Sequence, residues 1–159
     1  MPNKWQEFFE KVIQMQVDDC YQFHVYLLKE NRFGAAQPRF MLLTTRWVIN
    51  IVASFDKLKG NIKYEELKWK IPAASLIKVK IEKSADKFKV KMTTDLEMQN
   101  KILVENGLKK IKKNERKFTF SDITPCRDFI FHLKRIYHLQ NCIGPHNNHP
   151  PLLIEASDK

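Results

Sequence analysis

Three short runs in the middle of the chain alternate apolar residues with lysine: LKWKI (67–71), IKVKI (77–81) and KFKVKM (87–92). Because successive side chains of a β-strand point to opposite faces, strict alternation predicts three strands with one apolar face and one basic face. The predicted inner face holds Leu67, Trp69, Ile71, Ile77, Val79, Ile81, Phe88, Val90 and Met92. The predicted outer face holds Lys68, Lys70, Lys78, Lys80, Lys87, Lys89 and Lys91, with no acid among them.

Further strands are predicted on both sides of these runs. Residues 20–30 and 39–53 are rich in β-branched and aromatic residues and flank the turn-rich stretch NRFGAAQP, which predicts a long hairpin. Residues 116–120 predict a last strand. The stretch 93–114 fits either a short helix or a hairpin that turns at Asn106-Gly107, and we favour the hairpin.

Two further segments, one near each end of the chain, have helical periodicity. Residues 1–19 predict an amphipathic N-terminal helix whose apolar face includes Trp5, Phe8 and Phe9. Near the other end, Thr124-Pro125 is typical of a helix start. The helix that follows would bury one stripe, Cys126, Phe129, Ile130, Leu133, Ile136 and Tyr137. The predicted organisation is therefore a helix at 1–19, a barrel with its closing helix at 20–140, and an extended C-terminal arm at 141–159 that the barrel core does not need.

The positive charge of the chain is concentrated in one segment. The whole sequence has 28 basic and 18 acidic residues, and the surplus of 10 arises between Lys57 and Lys117. Such an excess attracts phosphoinositide headgroups, acidic membrane, nucleic acid or acidic protein tails. Nucleic acid is the less favoured partner, because Trp69 and Phe88 are predicted on the inner face and leave few exposed rings on which bases could stack.

No motif in the sequence predicts catalysis or a cofactor. The four glycines form no phosphate-binding loop, and the common nucleophile and metalloprotease motifs are absent. Cys142, His146 and His149, with His138 one helical turn before Cys142, suggest a zinc site, but no Cys-x-x-Cys pair accompanies them, and we expect no metal.

The cysteines and the apolar runs bear on location. Three cysteines are an odd number, no signal peptide is apparent, and no apolar run approaches the roughly 20 residues needed to cross a bilayer. We therefore expect a cytoplasmic protein, peripheral to a membrane or part of the cytoskeleton.

Three segments resemble one family. PRFMLLTTRWVINI, KWKIPAASLIKVKIEKSADKFKVKM and FTFSDITPCRDFIFHLKRIYH are similar to segments of the tail-homology domain of class I myosins and related protist modules. The resemblance implies an α+β fold: a pleckstrin-homology-like antiparallel β-barrel of about seven strands with an N-terminal helix and a C-terminal capping helix. It also implies binding of acidic lipid, with Lys29 and Arg39 in plausible lipid-binding positions. Met41 stands where the lipid signature has a second basic residue.

These observations predict a non-catalytic adaptor module whose basic face docks on acidic membrane lipid of the phosphoinositide type. The alternative is a structural component of a large cytoskeletal or axonemal assembly that binds acidic protein such as microtubules. In that alternative, partner proteins would contact the terminal helix and the tail, at Trp5, Phe8, Phe9, Leu152 and Leu153. The candidate anion-binding residues are Lys29, Arg39, Lys68, Lys70, Lys78, Lys80, Lys87, Lys89, Lys91, Lys109, Lys110, Lys112 and Lys113.

Overall fold

Two four-stranded sheets make up most of the computed structural model, which describes residues 19–30, 36–56, 61–141 and 150–158. The first sheet is an antiparallel meander in the order β1-β2-β3-β4, with β1 at Tyr21–Glu30, β2 at Ala36–Thr44, β3 at Trp47–Asp56 and β4 at Asn61–Pro72. The predicted N-terminal helix lies outside the described residues except for Asp19, and so do Cys142, His146 and His149.

The second sheet has the order β7-β6-β5-β8. A short 3-10 helix, Ala73–Ser75, leads from β4 into this sheet, whose strands are β5 at Leu76–Ser84, β6 at Lys87–Thr94, β7 at Glu115–Phe120 and β8 at Leu153–Asp158. β5, β6 and β7 pair antiparallel, whereas β8 pairs with β5 in parallel. Two helices accompany the sheets in the described part of the chain: α1 at Leu96–Glu105 and α2 at Ile123–Asn141.

The predicted α+β class is confirmed, but the predicted single barrel is not. The described strands form two separate hydrogen-bonded sheets with no closed ring, and they number eight rather than about seven. The physical reason is that β4 and β5 do not pair with each other. The Ala73–Ser75 turn moves the chain from one sheet to the other.

The main core lies between the two sheets and α2. The stripe predicted for the closing helix is buried throughout, from Cys126 to Tyr137, and Phe129, Leu133 and Ile136 are fully inaccessible. The helix begins slightly earlier than predicted, and the Asp122 carboxylate accepts a hydrogen bond from the Thr124 backbone N–H at 3.3 Å. Asp122, rather than Thr124, therefore caps α2.

A second apolar cluster lies on the opposite face of the first sheet. Phe40, Leu42, Trp47, Ile49 and Ile51 of β2 and β3 form this cluster together with Leu103 of α1. The middle strands of the first sheet are therefore buried on both faces. This explains why their sequences are almost continuously apolar instead of alternating.

The hairpin favoured for residues 93–114 is wrong, because the structure has helix α1 there. Asp95 caps the helix by accepting a hydrogen bond from the Met98 backbone N–H at 3.1 Å. Asn106-Gly107 ends it, with Gly107 at a φ of +73°. The same dipeptide that marks hairpin turns thus acts as a left-handed helix stop, which glycine adopts with little strain.

The alternating runs form strands as predicted, but bulges change which faces their residues occupy. Ile77 is 48% exposed because the register shifts between Leu76 and Lys78, so that Leu76 is the buried residue. In β4 a similar shift lets Leu67 pack on the second cluster while Trp69 packs on the main core. The other predicted inner residues pack on the main core: Ile71, Val79, Ile81, Phe88, Val90 and Met92.

The arm predicted to be extended at the C-terminus contributes a strand to the second sheet. Leu152 is buried in the main core, and the Tyr137 hydroxyl donates a hydrogen bond to the Pro150 carbonyl at 2.7 Å. The expectation that the core does not need this arm is therefore wrong at Leu152. In the described part of the chain, neither helix is long and apolar enough to cross a bilayer.

Candidate anion-binding cleft

A cleft of about 980 Å³ opens between β4 and the segment that joins α1 to β7. β4 supplies Lys68, Trp69 and Lys70 to one wall, and the apolar residues Leu67, Leu103 and Leu108 also line the cleft. Most of the other wall comes from residues 109–117. The basic residues that line the cleft are Lys68, Lys70, Lys109, Lys112, Lys113, Arg116 and Lys117.

Hydrogen bonds fix the backbone of the lysine-rich segment against α1. The Asn100 side-chain oxygen accepts from the Ile111 backbone N–H at 2.8 Å, and the Gln99 amide donates to the Lys113 carbonyl at 3.2 Å. At the end of the segment, the Thr94 backbone N–H donates to the Asn114 carbonyl at 2.8 Å. The run KKIKK thus has an anchored backbone, and its lysine side chains are exposed.

Two of the cations in the cleft lie over tryptophan rings. The Nζ atom of Lys70 is 4.4 Å from the centroid of the Trp47 ring, and the guanidinium carbon of Arg116 is 5.2 Å from that of Trp69. Such cation–π contacts hold a charged group in place without neutralising its charge. Partial burial lowers the pKa of Lys70, an effect that the nearby Asp19 carboxylate opposes, and burial also lowers the pKa of Arg116.

Two buried polar atoms of the cleft residues have no hydrogen-bond partner in the described part of the chain: Oδ1 of Asn50 and Nε of Arg116. Asn50 is only 7% exposed and lies on β3 opposite Trp69. A buried polar group without a partner costs about 1–3 kcal/mol. Both atoms are inaccessible to solvent, so they lie unpaired inside the wall of the cleft rather than on its surface.

Acidic residues contribute little to this cleft. Among its described lining residues the one carboxylate belongs to Glu115, and its Oε1 atom is 3.1 Å from Nζ of Lys91 on the neighbouring strand. Seven basic side chains thus line the cleft with one carboxylate that is already paired. The resulting positive potential favours a multiply charged anion.

The predicted single lysine face does not exist in the structure. Lys68 and Lys70 belong to the first sheet, while Lys78, Lys80, Lys87, Lys89 and Lys91 belong to the second. The lysines of the second sheet also have acids beside them, contrary to prediction. Lys78 pairs with Glu155 at 3.1 Å, Lys80 with Glu82 at 3.2 Å, and Lys91 with Glu115.

The ion pairs remove one argument for anion binding by the lysines of the second sheet. Exposed pairs of this kind contribute only about 0–1 kcal/mol each, but they relieve the repulsion between lysines on neighbouring strands. Repulsion is therefore no reason to expect an outside anion on this surface. Lys80, Lys89 and Lys91 line a smaller depression of about 510 Å³, which Lys117 joins to the cleft.

The structure separates the remaining candidate residues from the cleft. Arg39 of β2 is only 6% exposed. Lys29 of β1 pairs with Gln37 of β2, and its side chain is not among the described parts of the structure. Lys110 lines a separate depression along α1. Leu153 is 51% exposed, unlike the buried Leu152. Trp5, Phe8 and Phe9 lie outside the described residues. No group of three or more potential metal ligands occurs among the residues described.

The candidate anion-binding residues did not include Asn50, Arg116 or Lys117, which also line the cleft. Arg116 and Lys117 are separated from the basic run by two residues and belong to the same basic cluster of the sequence, although residues 116–120 were also predicted to form a strand. Asn50 carried a signal of its own, since it is the one polar residue in the apolar stretch WVINIVA. A polar residue in a buried strand usually has a partner or a role.

No family model and no curated protein matches this chain. Among solved structures the chain is similar to the hSac2 domain from the human phosphoinositide phosphatase Sac2, with a TM-score of 0.51 and 10% sequence identity. The similarity covers 98% of this chain and 85% of that domain. At this level of identity the comparison establishes a shared fold.

Proposed function

We propose that this chain is a non-catalytic binding module whose cleft holds the phosphate groups of an acidic membrane lipid of the phosphoinositide type. The observation that carries the proposal is the lining of the cleft, with seven basic side chains and a single carboxylate already paired with Lys91. The described lining includes no serine, cysteine or histidine, so it has no hydroxyl or thiol nucleophile with a histidine base.

The chemistry of the cleft suits clustered phosphates. Lysine and arginine make charge-assisted hydrogen bonds to phosphate oxygens, and these bonds strengthen where the cation is partly desolvated, as at Lys70 and Arg116. Lys109, Lys112, Lys113 and Lys117 add exposed donors along the same cleft. An inositol ring that carries several phosphates supplies clustered acceptors for such donors.

Two further lines support the proposal. The sequence segments that resemble the tail-homology domain of class I myosins imply acidic lipid as the ligand. The solved domain with a similar fold belongs to a protein described as a phosphoinositide phosphatase. These likenesses favour phosphoinositide over other polyanions as the ligand to test, and the cleft residues make the proposal testable.

The test compares two triple variants with the same change in charge. Lys68, Lys112 and Lys113 change to Glu in the cleft variant, and Lys78, Lys80 and Lys89 change to Glu in the sheet variant. Binding is measured by co-sedimentation with phosphoinositide vesicles and with phosphatidylserine vesicles of equal charge. Each lysine near an acidic membrane contributes about 1 kcal/mol, so the cleft variant should lose about 100-fold or more in affinity for phosphoinositide.

The sheet variant should retain most of its affinity, and both variants should remain folded by circular dichroism. Equal losses in the two variants would show a general effect of net charge and would contradict the proposal. A loss confined to the sheet variant would restore the lysine face of the second sheet as the site. Pelleting with polymerised tubulin, together with no binding to either kind of vesicle, would support the cytoskeletal alternative instead.

A further inference from the structure

A second opening, an apolar groove of about 510 Å³, lies between the first turns of α2 and one end of the second sheet. Its apolar lining comes from β5, β6, α2 and β8, through Ile81, Phe88, Ile123, Ile130, Phe131 and Ala156. Phe131 is 65% exposed and Ile123 is 37% exposed. Covering large apolar side chains of this kind stabilises a complex, so these residues form a favourable contact surface.

The rim of the groove is basic. Lys83 of β5 and Arg127 and Lys134 of α2 line the groove and are exposed, and the described lining residues include no acid. On α2, Arg127, Phe131 and Lys134 follow at intervals of four and three residues, so they share one face of the helix. Asp128, three residues before Phe131 on the helix, is not among the described lining residues, and its charge acts on His132.

The position of β8 indicates what kind of molecule fits. β8 is the edge strand of the second sheet, and among the described residues it pairs with β5 alone. Its outer edge presents backbone N–H and C=O groups that another polypeptide can pair with and an acyl chain cannot. Ala156 and Ser157 have small side chains, which allow a second backbone to come close.

The charge of the molecule argues against a second copy of this chain in the groove. The chain has a net charge of +10, and three of its basic side chains line the groove with no acid among the described lining residues. An acidic partner is attracted to such a rim, whereas a basic partner is repelled.

We propose that this groove docks an extended acidic segment of another protein. The segment inserts two alternate apolar side chains beside Phe131 and Phe88 and directs its carboxylates to Lys83, Arg127 and Lys134. This site is separate from the cleft. The groove includes Phe88, near the start of β6. The cleft includes Glu115, which pairs with Thr93 near the end of β6. Phe88 and Thr93 are five residues apart, about 17 Å along the strand.

The probe is a fluorescein-labelled peptide of about 12 residues with Leu and Phe at alternate central positions and Glu at both ends. A matched peptide has Lys in place of Glu. Fluorescence anisotropy with the full chain should give at least about tenfold tighter binding of the acidic peptide. Phe131→Ala should weaken binding about fivefold or more, since it removes the most exposed apolar contact.

The double variant Arg127→Glu, Lys134→Glu should reverse the preference between the two peptides. The double variant Lys101→Glu, Lys110→Glu changes two exposed positions outside the groove, serves as the charge-matched control and should leave the preference intact. No binding of the acidic peptide at about 1 mM, or equal binding of both peptides, would overturn the proposal.

Two other outcomes would assign the groove to a different occupant and would also overturn the proposal. One is association of the chain with itself, seen as a rise in sedimentation coefficient with protein concentration that Phe131→Ala abolishes. The other is binding to uncharged vesicles that depends on Phe131 while the peptide does not bind. Both measurements use the full chain and the same variants.

Discussion

Lys70 and Lys78 occur in the same kind of alternating run, yet their surroundings differ. Lys70 is half-buried, lies over the Trp47 ring and lines the cleft. Lys78 forms an exposed ion pair with Glu155 on β8. The Asp19 carboxylate partly offsets the charge of Lys70, whereas Lys78 must break a direct ion pair before it can bind an outside anion. Lys70 is therefore the better anion ligand of the two. Residue type alone therefore does not identify the binding lysines.

The lowered pKa of Lys70 predicts a pH dependence of anion binding. Desolvation lowers this pKa, and a bound anion favours the charged form, so binding is full at low pH and is lost as the lysine deprotonates. The loss should begin below the usual lysine range near about 10.4. Lys70→Arg should move this loss to higher pH, as measured by vesicle co-sedimentation between about pH 7 and about pH 11.

Lys112→Arg is the control for this experiment, since Lys112 lines the same cleft but is exposed. It should leave the pH profile unchanged. Identical profiles for the wild-type chain and Lys70→Arg would show that Lys70 does not control binding.

At the scale of elements, α2 and β8 close the main core from two directions. α2 supplies a stripe of buried residues, and the segment that leads into β8 supplies Leu152. Each element also presents an exposed apolar neighbour, Phe131 on α2 and Leu153 on β8. These neighbours make it possible to compare a buried and an exposed truncation within one element.

Leu133→Ala should destabilise the protein by about 2–5 kcal/mol, because Leu133 is fully buried and its truncation leaves a cavity. Phe131→Ala on the same helix should cost less than about 1 kcal/mol. Urea denaturation followed by circular dichroism measures both. A cost below about 1 kcal/mol at Leu133 would mean that α2 does not pack on the core as described.

Leu152→Ala should destabilise the protein by at least about 2 kcal/mol, while Leu153→Ala should have little effect. The two residues are adjacent, but Leu152 packs in the main core and Leu153 is half-exposed. Thermal melting of the two variants checks the difference. Equal melting temperatures would contradict the docking of the C-terminal arm on the second sheet.

Local periodicity predicted the elements well where the pattern reflects a single exposed face. The alternating runs form β4, β5 and β6, and the helical stripe lies on α2, because the spacing of the apolar residues indicates which face is buried. Helix α1 was missed since Asn106-Gly107 suits both a hairpin turn and a helix end, and the choice depends on the cap at Asp95.

The cleft was predicted only in part, for a different reason. Lys109, Lys112 and Lys113 were candidates, and so were Lys68 and Lys70, but nothing in the local sequence indicates that β4 and the segment after α1 face each other. Their meeting depends on Leu103 packing in the second cluster and on Thr94 pairing with Asn114. Contacts between distant segments are set by the tertiary fold.

At the scale of the whole molecule, the positive charge is divided between paired and unpaired groups. The ion pairs of the second sheet neutralise some lysines locally, whereas the cleft keeps an excess of six cations, seven basic side chains against one carboxylate. The cleft therefore contributes strongly to the long-range attraction of an acidic surface.

This distribution predicts that vesicle binding depends strongly on salt while stability does not. The Debye length falls from about 10 Å at 0.1 M to about 3 Å at 1 M, so binding to acidic vesicles should decrease steeply over this range. The melting temperature should change little, because exposed ion pairs contribute only about 0–1 kcal/mol each. Vesicle binding that is insensitive to salt would indicate an apolar rather than an electrostatic contact.

The parallel pairing of β8 with β5 has a consequence for synthesis. Strands β1 to β4 pair in the order in which they leave the ribosome, so the first sheet can assemble as it emerges. β5 has no partner on its outer edge until β8 follows, after β6, α1, β7 and α2. Its backbone is open to pairing with other nascent chains during this interval. Lys78 and Lys80 on that strand then repel a second copy, which gives these lysines a protective use before the protein is complete.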